Sequence, residues 1–192
     1  WLTFSRLVES TGRRTHIFIC SRTALPFPTA RLKVSQAAAE ITESDLRFSR
    51  DETAALLAAL AGEPPSDDVL DRVQQYTEGW PAALVLLAMS ALRIGGLSVI
   101  PALDDLAAPL PKDLNAYLTD EVVGSLEPRV RSFMEESAIL DVVTPAACEA
   151  LLGRQDAEHI LDQLSRVWRL LMVVAPGAYR YHPLLQRYLL DH

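Results

Sequence analysis

Two residues are of types that suit chemistry on a charged ligand, Arg22 and His182. Arg22 follows the run His16-Ile17-Phe18-Ile19-Cys20, whose β-branched and aromatic content predicts an interior strand of a parallel sheet. Open α/β sheets place ligands at the carboxyl ends of their strands. A guanidinium there can hold a phosphate through two parallel hydrogen bonds, or it can be a plain surface arginine at a strand end. Gly79-Trp80-Pro81 breaks the chain, with Pro81 suited to the first turn of a helix and Trp80 read as core. His182 by itself reads as a satisfied histidine near a turn, although an imidazole titrating near neutral pH can also make and release an anionic contact.

Other chemistries find little support. Neither Lys33 nor Lys112 follows a glycine, so the GxxxxGK[ST] phosphate-binding loop is absent. Ser21, Ser44 and Ser137 lack a GxSxG turn. His16 and His159 have no cysteine or carboxylate partner at ligand spacing, so no metal site is expected. Glu135-Glu136 reads as a solvated helix face. Cys20 and Cys148 lack CxxC spacing and are expected as buried thiols in a reducing cytoplasm.

The elements that must position these residues fall into three blocks. Residues 1–48 read as the tail of an α/β unit: a partial helix to about Ser10, the strand at His16–Cys20, and a second short strand at Ala39-Glu40-Ile41-Thr42. Residues 49–100 are predicted helical. Ser49-Arg50-Asp51-Glu52 is a capping box that starts a helix ending at Gly62. Ser66 caps a second helix, and an apolar helix runs from Pro81 to about Ile94. Leu97 to Asp105 contains a proline and is read as a loop, with residues 101–110 as a linker. Residues 111–192 give four helices (Asp113–Gly124, Pro128–Ala138, Thr144–Leu152, Asp156–Val167). A hairpin of Leu170–Val174 and Tyr179–Tyr181 turning at Pro176-Gly177 follows, and then a last helix. Helices followed by a short hairpin are the pattern of a winged helix.

The fold class expected is therefore mainly α (α+β): the remnant of a P-loop α/β core, a helical lid bundle and a winged-helix domain. The net charge of −7 opposes direct contact with a polyanion. In residues 111–192 eight basic residues face twelve acidic ones, and the would-be recognition helix carries Asp156, Glu158 and Asp162. That is the wrong sign for a groove reader. No apolar run approaches the roughly 18 residues of a membrane span. The start at Trp1, without an initiator methionine, reads as an excised segment.

Five phrases in order resemble the nucleotide-binding module of MalT-like, LuxR-type regulators of the STAND class of signal-transduction ATPases. They are Cys20-Ser21-Arg22, the stretch from Ala39-Glu40-Ile41 through Asp45-Leu46-Arg47-Phe48-Ser49, Glu78-Gly79-Trp80-Pro81-Ala82, Ser137-Ala138-Ile139-Leu140, and Tyr179-Arg180-Tyr181-His182-Pro183-Leu184. The resemblance implies a nucleotide held between a P-loop core, a helical lid and a winged helix. It implies that Arg22 is a sensor arginine meeting the terminal phosphate, that Pro81 packs near the adenine while Gly79 frees the backbone to approach, and that His182 reaches the β-phosphate of ADP. The intact parent would then be an ATP/ADP switch in the cytoplasm, a slow ATPase that self-associates on activation. The partners implied are the P-loop core and C-terminal sensor and effector domains of the same chain. This chain, lacking Walker A and Walker B motifs, is expected to bind no nucleotide firmly and to catalyse nothing by itself. Two alternatives remain: a nucleotide-free protein-interaction module, and a winged helix binding DNA directly.

Overall fold

A computed structural model describes residues 6, 10, 15–21, 25, 27–98, 100, 110–167 and 170–192. Most of these are helical, and a two-stranded antiparallel sheet is the only sheet among them.

The amino-terminal block departs from expectation. Residues 15–21 lie in no regular element, and Phe18 is 90% exposed. A strand exists through its ladder of hydrogen bonds, and no described neighbour pairs with this run. Ala39–Thr42 is likewise not a strand, and Cys20 is exposed rather than buried. Arg6 and Ser10 are helical, and the rest of the partial helix falls outside the described residues, as does Arg22. Two short helices follow, α1 (Ala30–Val34) and α2 (Glu43–Leu46). Thr42 and Asp45 cap the second reciprocally, the Thr42 N–H donating to Asp45 Oδ2 at 2.8 Å.

The second block, labelled the lid after its expected role, is three helices: α3 (Arg50–Ala61), α4 (Asp67–Thr77) and α5 (Pro81–Ile94). The capping box forms as read, with the Ser49 N–H donating to Glu52 Oε2 at 2.8 Å, and Gly62 closes α3 in the left-handed conformation. Leu57, Val69, Leu70, Val73, Leu84 and Leu87 make the lid core. Leu97 and Ile100, read from sequence as loop, join that core from a 3₁₀ turn.

The third block packs α6 (Lys112–Tyr117), α7 (Pro128–Ser137), α8 (Pro145–Leu152), α9 (Ala157–Asp162) and α10 (Pro183–Leu190) around one core with the hairpin. Two of the expected α-helices change character part-way: α6 continues as a π-helix over Leu118–Val123, and α9 over Gln163–Val167. Strands β1 (Leu171–Ala175) and β2 (Ala178–Tyr181) pair with Leu171 opposite Tyr181 and Val173 opposite Tyr179. Val143 bridges to the other edge of β2 through Tyr179. Tyr181 is buried and its hydroxyl lies 2.8 Å from Ser137 Oγ, so the one polar atom it brings into the core is satisfied.

Helix α5 serves both cores, which accounts for its nearly unbroken apolar sequence. Leu84, Leu87 and Ala88 face the lid, while Ala83, Leu86 and the adjoining Trp80 pack on the winged-helix side. Among the described residues no helix is long and apolar enough to cross a membrane.

Candidate functional site

The joint between the lid and the winged helix collects three of the four residues to which the resemblance gives a role, Gly79, Pro81 and His182. Its base is the turn from α4 into α5. Glu78 and Gly79 both adopt the left-handed conformation, with φ of 46° and 75°. For glycine this is cheap; for glutamate it is an uncommon backbone that costs about 1–2 kcal/mol. A Cβ on Gly79 would fall 2.2 Å from the Phe48 carbonyl oxygen. The close approach is used: the Phe48 N–H donates to Gly79 O at 2.8 Å, and Gln74 Nε2 donates to Phe48 O at 3.1 Å. Gly79 therefore makes room for the backbone of residue 48. Trp80 then caps α5 and Pro81 occupies its first position, half-buried.

His182 meets this turn from the other side. Its Nε2 lies 2.9 Å from the Thr77 carbonyl oxygen, and its Nδ1 accepts from the Leu184 N–H at 3.2 Å, capping α10. One nitrogen faces an acceptor and the other a donor, so the partners select the neutral ring with its proton on Nε2. The Thr77 carbonyl also accepts from the Trp80 N–H at 2.8 Å. The Trp80 ring meets His182 edge-on at 5.4 Å and Tyr117 at 5.7 Å. Burial lowers the His182 pKa below its usual value, and the Thr77 bond and the Glu78 charge only partly offset this.

Beside the histidine lies an ion-pair cluster that sequence reasoning missed. Glu78 Oε1 accepts from Arg180 Nη2 at 2.7 Å and Glu78 Oε2 from Arg47 Nη1 at 3.0 Å. Arg47 reaches on to Glu43 at 2.7 Å, and its Nη2 lies 3.8 Å from Met172 Sδ. Burial alone would raise the Glu78 carboxyl pKa; the bonds from Arg180 and Arg47 reverse this, and the net displacement is downward. Glu43, Arg47, Glu78 and Arg180 each stand inside a family-like phrase, but nothing in their spacing, 31 residues from Arg47 to Glu78, announces that they meet. An open groove of about 460 Å³ adjoins the cluster, running between Thr42–Arg47 and Leu171–Val173 of β1, and it does not reach Pro81 or His182.

Gly79, Pro81 and His182 are thus neighbours, linked through Thr77 and Trp80, whereas Arg22 lies outside the described residues. No group of three or more His, Cys, Asp or Glu side chains among the described residues is placed to hold a metal ion.

Helices, hairpin and the His-Pro-capped last helix coincide with a known family: residues 119–192 match the model of the MalT winged helix domain. That block is similar in sequence to the MalT winged helix domain. Likeness to regulators extends well beyond it. The chain is 32% identical over 162 residues to the HTH-type transcriptional regulator AlkS of Pseudomonas putida, covering 83% of this chain and 17% of AlkS. It is 28% identical over 150 residues to the HTH-type transcriptional regulator MalT of Vibrio campbellii, covering 78% of this chain and 16% of MalT. The serine/threonine-protein kinase PknK of Mycobacterium tuberculosis is 28% identical over 186 residues, covering 95% of this chain and 16% of PknK. The chain accordingly spans about a sixth of the length of these relatives. Sequence similar to most of this chain thus occurs in proteins named for different activities.

Proposed function

We propose that this chain is the lid and winged-helix portion of a MalT-like transcription regulator of the cytoplasm, in which nucleotide controls how the winged helix is held. The observation that carries the reading is the meeting of His182 with the Thr77–Pro81 turn, which puts the winged helix's imidazole on the lid's proline-bearing edge. In the longer protein, Pro81 would border the base, with His182 and Arg22 donating to phosphate oxygens. Bound ADP would supply the polyanionic acceptor. The donor types suit that ligand, on one condition: neutral His182 has a single N–H, and here it goes to Thr77. A phosphate contact must therefore replace the Thr77 contact rather than add to it. Release of the winged helix, under ATP and an inducer, would free surface for self-association with other copies.

The test uses the protein with its natural flanking sequence, purified and denatured, with released nucleotide identified by chromatography. Stoichiometric ADP in the wild type, lowered in both Arg22→Ala and His182→Ala, is the expected result. An empty protein that ignores added ADP and ATP would overturn the reading in favour of a nucleotide-free interaction module. One observation already favours that second reading: both His182 ring nitrogens are engaged within the protein. Direct DNA contact is disfavoured by charge, since the described surface of α9 presents Glu158 and Asp162 where a groove reader needs cations.

A further inference from the structure

We propose that Glu78 is a latch that sets the angle between lid and winged helix, and that it does so without any nucleotide. The two blocks already share an apolar seam along α5, through Ala83, Leu86 and Trp80. Such contact is non-directional, so it permits neighbouring orientations at little cost. Charge-assisted hydrogen bonds are directional, and Glu78 makes one to each side. Arg180, on β2 of the winged helix, holds Oε1, and Arg47, between α2 and the lid, holds Oε2. The pairs are partly sheltered, with side-chain exposures of 19% for Glu78, 35% for Arg180 and 23% for Arg47, which keeps them stronger than pairs in open water.

The backbone supplies an independent argument. Position 78 closes α4 in the left-handed conformation, where glycine or asparagine is the usual residue. A glutamate there is unfavourable for the lid alone, so the local structure gives no reason for its presence. The carboxylate reaching both arginines does. Strained backbone of this kind persists where surrounding contacts over-determine it, and it gathers at switching elements. A latch whose backbone is strained also releases readily once its partners are pulled away.

The experiment measures the distance between lid and winged helix in the full chain, free of nucleotide. Spin labels go on Glu63→Cys in the lid and Glu149→Cys in the winged helix, both exposed. Exposed Cys20 is first replaced by serine, and Cys148 stays because it is buried, with its thiol pKa pushed up to about 11. The closed chain should give one narrow distance. Glu78→Gln should raise the population at other distances about tenfold, on the scale of a partly sheltered hydrogen bond between charged groups. Arg180→Gln should do so to a lesser extent, and should add nothing in the Glu78→Gln background. Glu78→Gly removes the carboxylate but suits the left-handed backbone, so it separates the two roles of the position. It should open the joint as far as Glu78→Gln does. A joint that stays closed in Glu78→Gly, or an Arg180→Gln effect that is the same with and without the Glu78 carboxylate, would overturn the latch.

Discussion

Ile17-Phe18-Ile19-Cys20 and Leu171-Met172-Val173-Val174 are runs of the same chemical kind, short and apolar with β-branched residues. The first lies in no regular element with Phe18 open to solvent, and the second is a strand with Leu171 buried. The difference is the partner. Leu171–Ala175 finds one two residues away across the Pro176-Gly177 turn, so its ladder closes locally at small entropic cost. His16–Cys20 has the composition of a parallel strand, whose neighbours are distant in sequence by construction. Composition states that a run can be a strand; only a neighbour makes it one.

Substitutions test that contrast, beginning with the largest effect. Leu171→Ala should cost about 2–5 kcal/mol, because it empties a core site against Tyr181 and its neighbours. The midpoint of urea unfolding reads this, and a shift worth under about 1 kcal/mol would show that the hairpin is peripheral. Gly177→Ala should cost about 1–2 kcal/mol purely from its backbone, since φ is 72° and an added Cβ meets nothing within 4 Å. Gly177→Asn should recover part of that loss, which the same titration would detect.

A smaller effect comes from pH. Burial holds His182 below its ordinary pKa of 6.5, so the unfolded chain takes up the proton first. The stability supplied by the neutral ring is complete above 6.5 and is lost as pH falls through that value toward the folded pKa. Glu78, Glu43 and Arg47 face the ring and set how far the fall extends, with the carboxylates drawing a proton in and the arginine repelling it. Melting temperature should therefore drop between about pH 7 and pH 5, and His182→Gln should flatten the drop; an unchanged slope in the variant would refute the assignment. Phe18→Ser should move stability by no more than about 0.5 kcal/mol, as for other exposed sites. A loss above about 1 kcal/mol would mean that the run has a partner after all.

Much of the helical frame was legible from local rules. The Ser49 capping box, the Ser66 cap, the stop at Gly62 and the proline opening α5 each act within one turn of chain. The site was half legible. Pro81 and His182 stand out by type and motif, but Thr77 contributes only a backbone carbonyl, which no side-chain pattern reveals. Gly79 was expected to free the backbone for a nucleotide to approach, whereas the group that lies against it here is the Phe48 carbonyl.

By itself the sequence determined where most helices of residues 49–192 begin, the hairpin, the resemblance to MalT-like regulators and the acidic character that opposes DNA contact, because caps, turns, motifs and charge counts are local or additive. The tertiary structure alone decided that Glu78 joins Arg47 to Arg180, that His182 donates to Thr77, and that Ile17–Cys20 pairs with no described residue. Each of these depends on which distant segments become neighbours, and an ion pair or a strand ladder leaves no trace in sequence spacing until the chain has folded.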